Sequence, residues 1–293
     1  MQVAMRAMSI QNLFMNIDDQ TPTIVPVNLT GIPETMLWTL HNRASEARRS
    51  DTFLPDPDCV RIYESIAYDY ERSFGKPDRS HPMRSRIYDD AVRPWMAAHL
   101  GATVVELGAG LETQFQRCDD GIVQWLCIDV PEAINVRSRF IPPSARCRNV
   151  PKSAFDFGWL DEVDVTRGMF VTAQGLLEYF EENEVRRLFT TIVERFPGVE
   201  LMFDTIPRWF SNKTLKGLAK TSHYRTPPMP WGVNRDEIEP LLRSWSPCVT
   251  TVSVVPYGIV TRGLAEIALR LVTSLPVLRN LPPTIVHVRT RQA

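Results

Sequence analysis

Through the first hundred positions, apolar residues recur every three or four places. Pro33, Met36, Leu37 and Leu40 open the first such stretch, and Arg43, Arg48 and Arg49 stand at its polar end, which predicts a helix from Ile32 onward. A second helix is predicted over Cys59–Phe74, with Ile62, Ile66 and Tyr70 on one face, and a third over Ser85–Leu100, with Ile87, Val92, Trp95 and Met96 facing a core. No strand is predicted in this region. Residues 1–29, with Pro22 and Pro26 in an extended stretch, read as a flexible arm.

The pattern then switches. Thr103–Leu107 is a short β-rich run that ends in Gly108-Ala-Gly110, and Val123–Asp129 is a second apolar run closing on an acid. Further strands are predicted at Val163–Thr172, Val199–Phe203, Cys248–Val255 and Thr284–Val288, with helices at Glu132–Phe140, Glu181–Phe196 and Arg235–Ser244. Strands alternating with helices imply an α/β fold with a parallel, doubly wound sheet. The final two strands frame the segment Gly263–Leu281.

Composition narrows the function classes. The 293 residues carry 33 Lys+Arg against 34 Asp+Glu, so the strongly basic footprint of a dedicated nucleic-acid binder is absent. Five cysteines without CxxC spacing suggest reduced thiols rather than a disulfide framework or a zinc site. Met1–Met15 lacks a continuous apolar run and a small-residue cleavage site, and no apolar run approaches membrane-spanning length. The expectation is a soluble, cytoplasmic protein that acts on small molecules, with no nucleic-acid or membrane partner and no metal; its oligomeric state is left open.

The stretch that carries chemistry is Val104-Val-Glu106-Leu-Gly108-Ala-Gly110-Leu-Glu112-Thr113. A strand running into two glycines lets the backbone turn tightly and approach a ligand without a Cβ in the way. Asp129 follows 19 residues after Gly110, at the end of the second strand, where a carboxylate can accept hydrogen bonds from both ribose hydroxyls of an adenosine. The third glycine of the dinucleotide pattern is missing, since position 113 is Thr, and no Walker, HExxH or GxSxG pattern occurs. An adenosyl cofactor without a pyrophosphate, S-adenosyl-L-methionine (SAM), fits better than NAD or ATP.

Gly108-Ala-Gly-Leu-Glu-Thr-Gln-Phe-Gln-Arg117 resembles the GAGLDTRxxR signature of the leucine carboxyl methyltransferase family, and more closely its polyketide, tetracenomycin-type O-methyltransferase branch. The resemblance runs from about Gly31 to Val288. Arg84-Ser-Arg86-Ile-Tyr-Asp89 is similar to the family's RTRxxDD element, and Ile128-Asp129-Val-Pro131-Glu132 to xDLPE. Ser153-Ala-Phe-Asp156-Phe-Gly-Trp159 is similar to SxxDxxW, and Ala173-Gln-Gly-Leu-Leu-Glu-Tyr179 to xEGLLxYL. Phe203-Asp204-Thr-Ile-Pro-Arg208-Trp209 and Trp231-Gly232-Val-Asn point to the polyketide branch. Glu112, Ser85 and Gln174 depart mildly from the family's Asp, Thr and Glu.

The resemblance implies a class I SAM-methyltransferase, Rossmann-like sheet of seven mostly parallel strands. Residues 30–293 would form one domain: a helical front at 30–100, a SAM-binding core at 101–204, an inserted lid at 205–235, and C-terminal helices and strands at 236–293. Arg84 would clamp the methionyl carboxylate, Gly108 and Gly110 would pass beneath the cofactor, and Asp129 would hold its ribose. Asp156 would meet the adenine amino group, with Ser153 or Phe155 nearby, unless it is a loop or cap aspartate. Gln174 would approach the methionyl amine. Glu106 would bind the cofactor or accept backbone hydrogen bonds from the glycine loop.

On the acceptor side, the lid carries Trp209, Tyr224 and Trp231, suited to a flat, partly apolar acceptor. Its basic residues, Arg208, Lys213, Lys216, Lys220 and Arg225, would attract an acidic one or simply form a solvated face. His223 is the one candidate general base, set against an incidental histidine. The expected activity is methyl transfer from SAM, leaving S-adenosyl-L-homocysteine (SAH), to a carboxylate or hydroxyl of a polyketide-like or aromatic small molecule. The alternatives are a protein C-terminal carboxyl methyltransferase and a non-catalytic SAM-binding relative acting through its lid.

Overall fold

A computed structural model describes residues 24–257 and 278–292. Most of the predicted N-terminal arm and most of the Gly263–Leu281 segment lie outside the described residues. The chain opens with β1 (Val25–Pro26), then α1 (Thr35–Ala47), α2 (Pro57–Ser65), β2 (Ile66–Ala67), α3 (Tyr70–Phe74) and α4 (Ser80–Ala98). The helix predicted over Cys59–Phe74 is therefore two. Asp56 caps the first by accepting from Cys59 N at 2.9 Å. Ile66–Ala67 then leaves the helix to pair in parallel with Val25–Pro26, the one strand pair in a region where none was predicted.

The core follows as β3 (Thr103–Leu107), α5 (Gln114–Cys118), β4 (Gln124–Asp129), α6 (Pro131–Phe140), β5 (Cys147–Pro151), β6 (Met169–Ala173), α7 (Glu182–Arg195), β7 (Glu200–Thr205), α8 (Arg208–Leu215), α9 (Arg235–Trp245), β8 (Val249–Pro256) and β9 (Thr284–Thr290). The seven-stranded sheet has the order β5-β4-β3-β6-β7-β9-β8. β3 to β7 are parallel, and β9 runs antiparallel between β7 and β8. β5, with the sequence CRNVP, was not predicted because its polar residues break the apolar run. The predicted strand at Val163–Thr172 begins only at Met169, since Asp164 first closes a turn by accepting from Thr166 N at 2.9 Å.

Both sheet faces are covered, as parallel strands require. Val105, Leu107, Ile128, Val171 and Phe203 pack against α7 and α9. Val104, Trp125, Phe170 and Met202, one residue out of step, pack against α4 and α5. The front helices form a third cluster around Leu37, Leu40, Ile62 and Phe74, which meets Leu111 and the inner face of α6. No helix among the described residues is long and apolar enough to cross a membrane.

Between β7 and α9 the chain makes an excursion. Its two ends are pinned where Val233 N donates to Ile206 O at 2.9 Å. Its far end docks on the front helices: Thr221 Oγ1 donates to the carbonyls of Arg72 and Ser73, and Tyr224 packs edge-on against Phe74.

Candidate functional site

The carboxyl ends of β3, β4 and β6 open into a cavity of about 320 Å³, roofed by Thr35, Met36 and Thr39 of α1. Gly108, Gly110, Asp129, Ser153, Gln174 and Arg84 all line it. Gly108 and Gly110 have φ of +66° and +44°, the left-handed region that favours glycine. A Cβ on Gly108 would come within 2.9 Å of Leu176 Cδ1.

The loop between these glycines is held from three sides. Asp129 accepts from Gly110 N and from Val130 N, each at 2.8 Å. Burial pushes its pKa up against the pull of those two bonds. Arg137, fully buried, donates to the carbonyls of Gly110 at 3.1 Å and Glu112 at 2.7 Å. Arg43, reaching across from α1, donates to Leu111 O at 2.7 Å and Glu112 Oε1 at 2.9 Å. Arg117 adds bonds to Glu112, Asp56 and Asp89. Burial pushes Glu112 upward, yet Arg43 and Arg117 hold its carboxyl down at about 2. The Glu and Arg of the glycine-loop signature thus form a buried ionic lock between the helical front and the cofactor loop. No sequence spacing connects Arg43, Arg117 and Arg137.

A second cavity, of about 280 Å³, adjoins the first, and the two share Thr35, Thr39, Arg84 and Gly175 as walls. Trp38, Ile206, Trp209, Phe210 and Met229 make this chamber apolar, and His81, Glu178 and Tyr257 supply polar groups. Arg84 Nη1 donates to Asp204 Oδ2 at 2.9 Å, and the side chains are only 6% and 3% exposed. Asp204 also accepts from Tyr257 Oη at 2.6 Å and Gly175 N at 2.6 Å. Glu178, in a single 3-10 turn at Leu177–Tyr179, is buried, and its Oε2 has no hydrogen-bond partner. Burial, then the charge of Asp204, push its pKa up to about 8. Burial and then the charge of Arg84 push His81 well down, which keeps its imidazole neutral.

Several predicted site residues lie elsewhere. His223 is exposed on a turn, its backbone N donating to Thr221 Oγ1 at 3.1 Å, and it lines neither cavity. This corrects its expected role as base: the turn faces solvent because Tyr224, its neighbour, is the residue buried against the front helices. Arg225 is exposed beside Gly217 O. Trp231 is sunk in the core between Phe203 and Trp245. Of the four predicted acceptor contacts, Trp209 alone reaches the second cavity, 48% exposed, with its indole N–H on Leu281 O at 3.1 Å.

Two cofactor assignments are corrected as well. Glu106 points to the α4/α5 side of the sheet, where it accepts from Trp125 Nε1 at 3.2 Å, and burial raises its pKa strongly. Even positions of β3 face that side, which removes Glu106 from the cavity. Asp156 is exposed and caps a 3-10 helix, accepting from Gly158 N at 3.1 Å. The residues that sequence reasoning missed are Asp204, Glu178, His81, Tyr257 and Trp38. Asp204 was visible only as an acid ending a strand, and the others carry no spacing signal.

The first cavity fits an adenosyl sulfonium. Gln174 Oε1 is buried without a partner on its wall, an acceptor suited to an ammonium. Arg84 Nε is likewise buried and unbonded, a donor suited to a carboxylate. Asp129 and Glu132 face the cavity where β4 ends and α6 begins. Among the described residues, no three His, Cys, Asp or Glu side chains gather to hold a metal ion.

Comparison with known proteins bears on the family and the fold. No family model matches the chain. It is 32% identical over 186 residues to the tetracenomycin polyketide synthesis O-methyltransferase TcmP of Streptomyces glaucescens, spanning 62% of this chain and 69% of that protein. It is 27% identical over 201 residues to the S-adenosyl-L-methionine-dependent methyltransferase dpfgK of Gibberella zeae, spanning 61% and 67%. Among solved structures, the CurJ carbon methyltransferase superposes with a TM-score of 0.52 at 12% identity, covering 89% of this chain and 68% of that one. A possible exported protein from Bordetella parapertussis superposes with a TM-score of 0.51 at 16% identity, covering 88% and 79%. These two likenesses show the fold alone. Gly-loop geometry, sheet order and the kinship with TcmP converge: the chain belongs to the tetracenomycin-type family of SAM-dependent methyltransferases.

Proposed function

We propose that this protein is an O-methyltransferase that moves the methyl group of SAM to a carboxylate or hydroxyl oxygen of a polyketide-like or aromatic small molecule, leaving SAH. The observation that carries the reading is the pair of cavities that share Arg84, Gly175, Thr35 and Thr39 as a common wall. One chamber has the polar, glycine-floored character of an adenosyl site, and the other the aromatic character of an acceptor site. TcmP, by its name, acts in polyketide synthesis as an O-methyltransferase, which supports the same reading.

When bound, SAM supplies a methyl group on a cationic sulfur. This chain's residues then bind and orient. Gln174 and Arg84 would hold the amine and carboxylate of the methionyl part, and Asp129 with the glycine loop would hold the ribose. Ser153 and Phe180 line the same cavity and would flank the adenine. Trp38, Trp209, Phe210 and Met229 hold the acceptor against the shared wall and keep water out. Exclusion of water favours a step in which a cation and a nucleophile lose their charges together, and fixing both partners supplies much of the remaining acceleration. We further propose that residues 30–293 act as one domain and that the excursion at 205–235 covers the acceptor.

Titration with SAM and SAH tests the reading directly. Both should bind and raise the melting temperature, as a ligand of the native state must. A screen of small acids and phenols with methyl-labelled SAM should then give labelled ester or ether. A protein that neither ligand stabilises does not have this function.

A further inference from the structure

His81 lines the second cavity, and neighbouring bonds fix where its proton sits. The backbone N of Asp78 donates to Asn42 Oδ1 at 3.2 Å. That bond orients the Asn42 amide, so its Nδ2 is the atom that meets His81 Nδ1 at 2.9 Å. An amide N–H can only donate, so Nδ1 accepts and carries no proton. The single proton of the neutral ring is then on Nε2, which makes no hydrogen bond to a described residue. Burial, then the charges of Arg84, Arg43 and Lys220, outweigh the pull of Asp78 and keep the ring neutral. Lys220 Nζ lies 4.6 Å from the Trp38 ring centre, and Trp38 packs edge-on to His81 with ring centres 5.4 Å apart. Other side chains of the chamber have committed their donors: Thr35 to Ile32 O, Thr39 to Met36 O, Ser80 to Asp78, Tyr257 to Asp204 and Trp209 to Leu281 O. An uncommitted N–H beside an apolar chamber is costly unless an oxygen accepts from it.

We propose that Asn42 locks His81 as an Nε2–H donor, and that this N–H binds an oxygen of the methyl acceptor in the second cavity. This rests on the reading of the chain as an O-methyltransferase. His81 takes no proton in the reaction, because Nε2 already carries one and Nδ1 is occupied by Asn42. Its task is to hold the acceptor by an oxygen lone pair, with a strength that stays constant across the pH range where an ordinary histidine titrates. His81 is then a substrate-binding residue, and Asn42 a positioning residue that acts through it.

The experiment has two readouts on SAH-saturated protein. The first is long-range proton–nitrogen NMR of histidine-labelled protein, with the His81 signal identified by its loss in His81→Gln. It should show Nε2 protonated and Nδ1 bare from about pH 5.5 to 7.5. Asn42→Asp keeps an oxygen for Asp78 N but turns an acceptor toward Nδ1. Its carboxylate should raise the His81 pKa into that range and keep the last proton on Nδ1, so that Nε2 is deprotonated as pH rises. The second readout is a tryptophan-fluorescence titration with two uncharged probes of matched shape, 2-acetylnaphthalene and 2-isopropenylnaphthalene, of which only the first has an oxygen. The ketone should bind about tenfold more tightly throughout that pH range. His81→Phe should bring the two affinities to within about threefold, and His81→Gln, which keeps an N–H, should preserve most of the preference. In Asn42→Asp the preference should fall as pH rises. A doubly protonated His81, or a proton on Nδ1, in the wild type overturns the lock. Equal binding of the probes, a preference that His81→Phe leaves unchanged, or failure of both to bind overturns the donor role. Should His81→Phe not fold, the wild-type tautomer and preference decide. Failure of SAH to bind sinks the methyltransferase reading itself, whereas normal SAH binding with the wrong tautomer or preference sinks only the role of His81.

Discussion

Arg84 on α4 and Asp204 at the end of β7 are 120 positions apart, yet their side chains meet at 2.9 Å in the wall between the two cavities. Asp204 is held from three directions, by Arg84, Tyr257 and the N–H of Gly175. Arg84 keeps its Nε free for a ligand. One ion pair thus joins the wall shared by the two cavities to the end of β7. Removing one partner leaves a buried charge uncompensated. Asp204→Asn should lower stability by about 3 kcal/mol, read from urea unfolding, while Arg84→Met should abolish detectable SAH binding.

Gly175 makes that pair possible. Its φ is +65°, and a Cβ there would come within 2.6 Å of Arg84 Nη1. Gly175→Ala should displace the guanidinium from Asp204 and cost about 1–2 kcal/mol from backbone conformation alone. SAH affinity measured by calorimetry should fall together with melting temperature. A variant with normal affinity would mean that Arg84 does not need its observed place.

Asp129 holds Gly110 N and lines the first cavity, where we propose that it meets the ribose. Asp129→Ala should weaken SAH binding about 10- to 100-fold, the equivalent of ~1.5–3 kcal/mol for a charge-assisted hydrogen bond. His223→Ala, in contrast, should change stability by less than about 0.5 kcal/mol and leave methyl transfer intact. A large loss of activity in the His223 variant would restore it as a base.

Two buried acids set opposite limbs of the pH profile. Glu112 is held down at about 2 in the fold, so its stabilising contribution is present above the unfolded pKa near 4.5 and lost as pH falls toward 2. Glu178 is held up at about 8, so its contribution is full below about 4.5 and lost as pH rises through 8. Glu106, also raised by burial, acts in the same sense as Glu178. Wild-type stability should decline from about pH 5 to 8, and Glu178→Gln should flatten part of that decline, seen as melting temperature against pH. An identical slope in the variant would contradict the burial of an ionisable group there.

The fold class and the glycine-lined floor of the first cavity were legible in the chain itself. Apolar runs alternating with helical periods predict a parallel sheet, and Gly108, Gly110 and Asp129 are chemistry placed at strand ends, where local spacing fixes position. β5 escaped because an edge strand needs apolar residues on fewer positions. Glu106 and Asp156 were misread for the same local reason: one residue of register decides which sheet face a side chain takes, and a cap aspartate has the same composition as a ligand.

The second cavity was decided by tertiary structure. Trp38 and His81 come from the front helices, Glu178 from the turn after β6, Trp209 from α8, and Tyr257 from the end of β8. No periodicity relates these positions, because each is brought in by a different packing contact. Tyr224 shows the same principle in reverse: the lid aromatic that looked ready for a substrate is consumed by packing on Phe74. The sequence by itself determined the sheet, the glycine loop and the methyltransferase kinship, since these rest on near-neighbour spacing. Which acid stays unpaired, and which aromatics face a ligand, depended on long-range packing and on the burial that shifts a carboxyl's pKa.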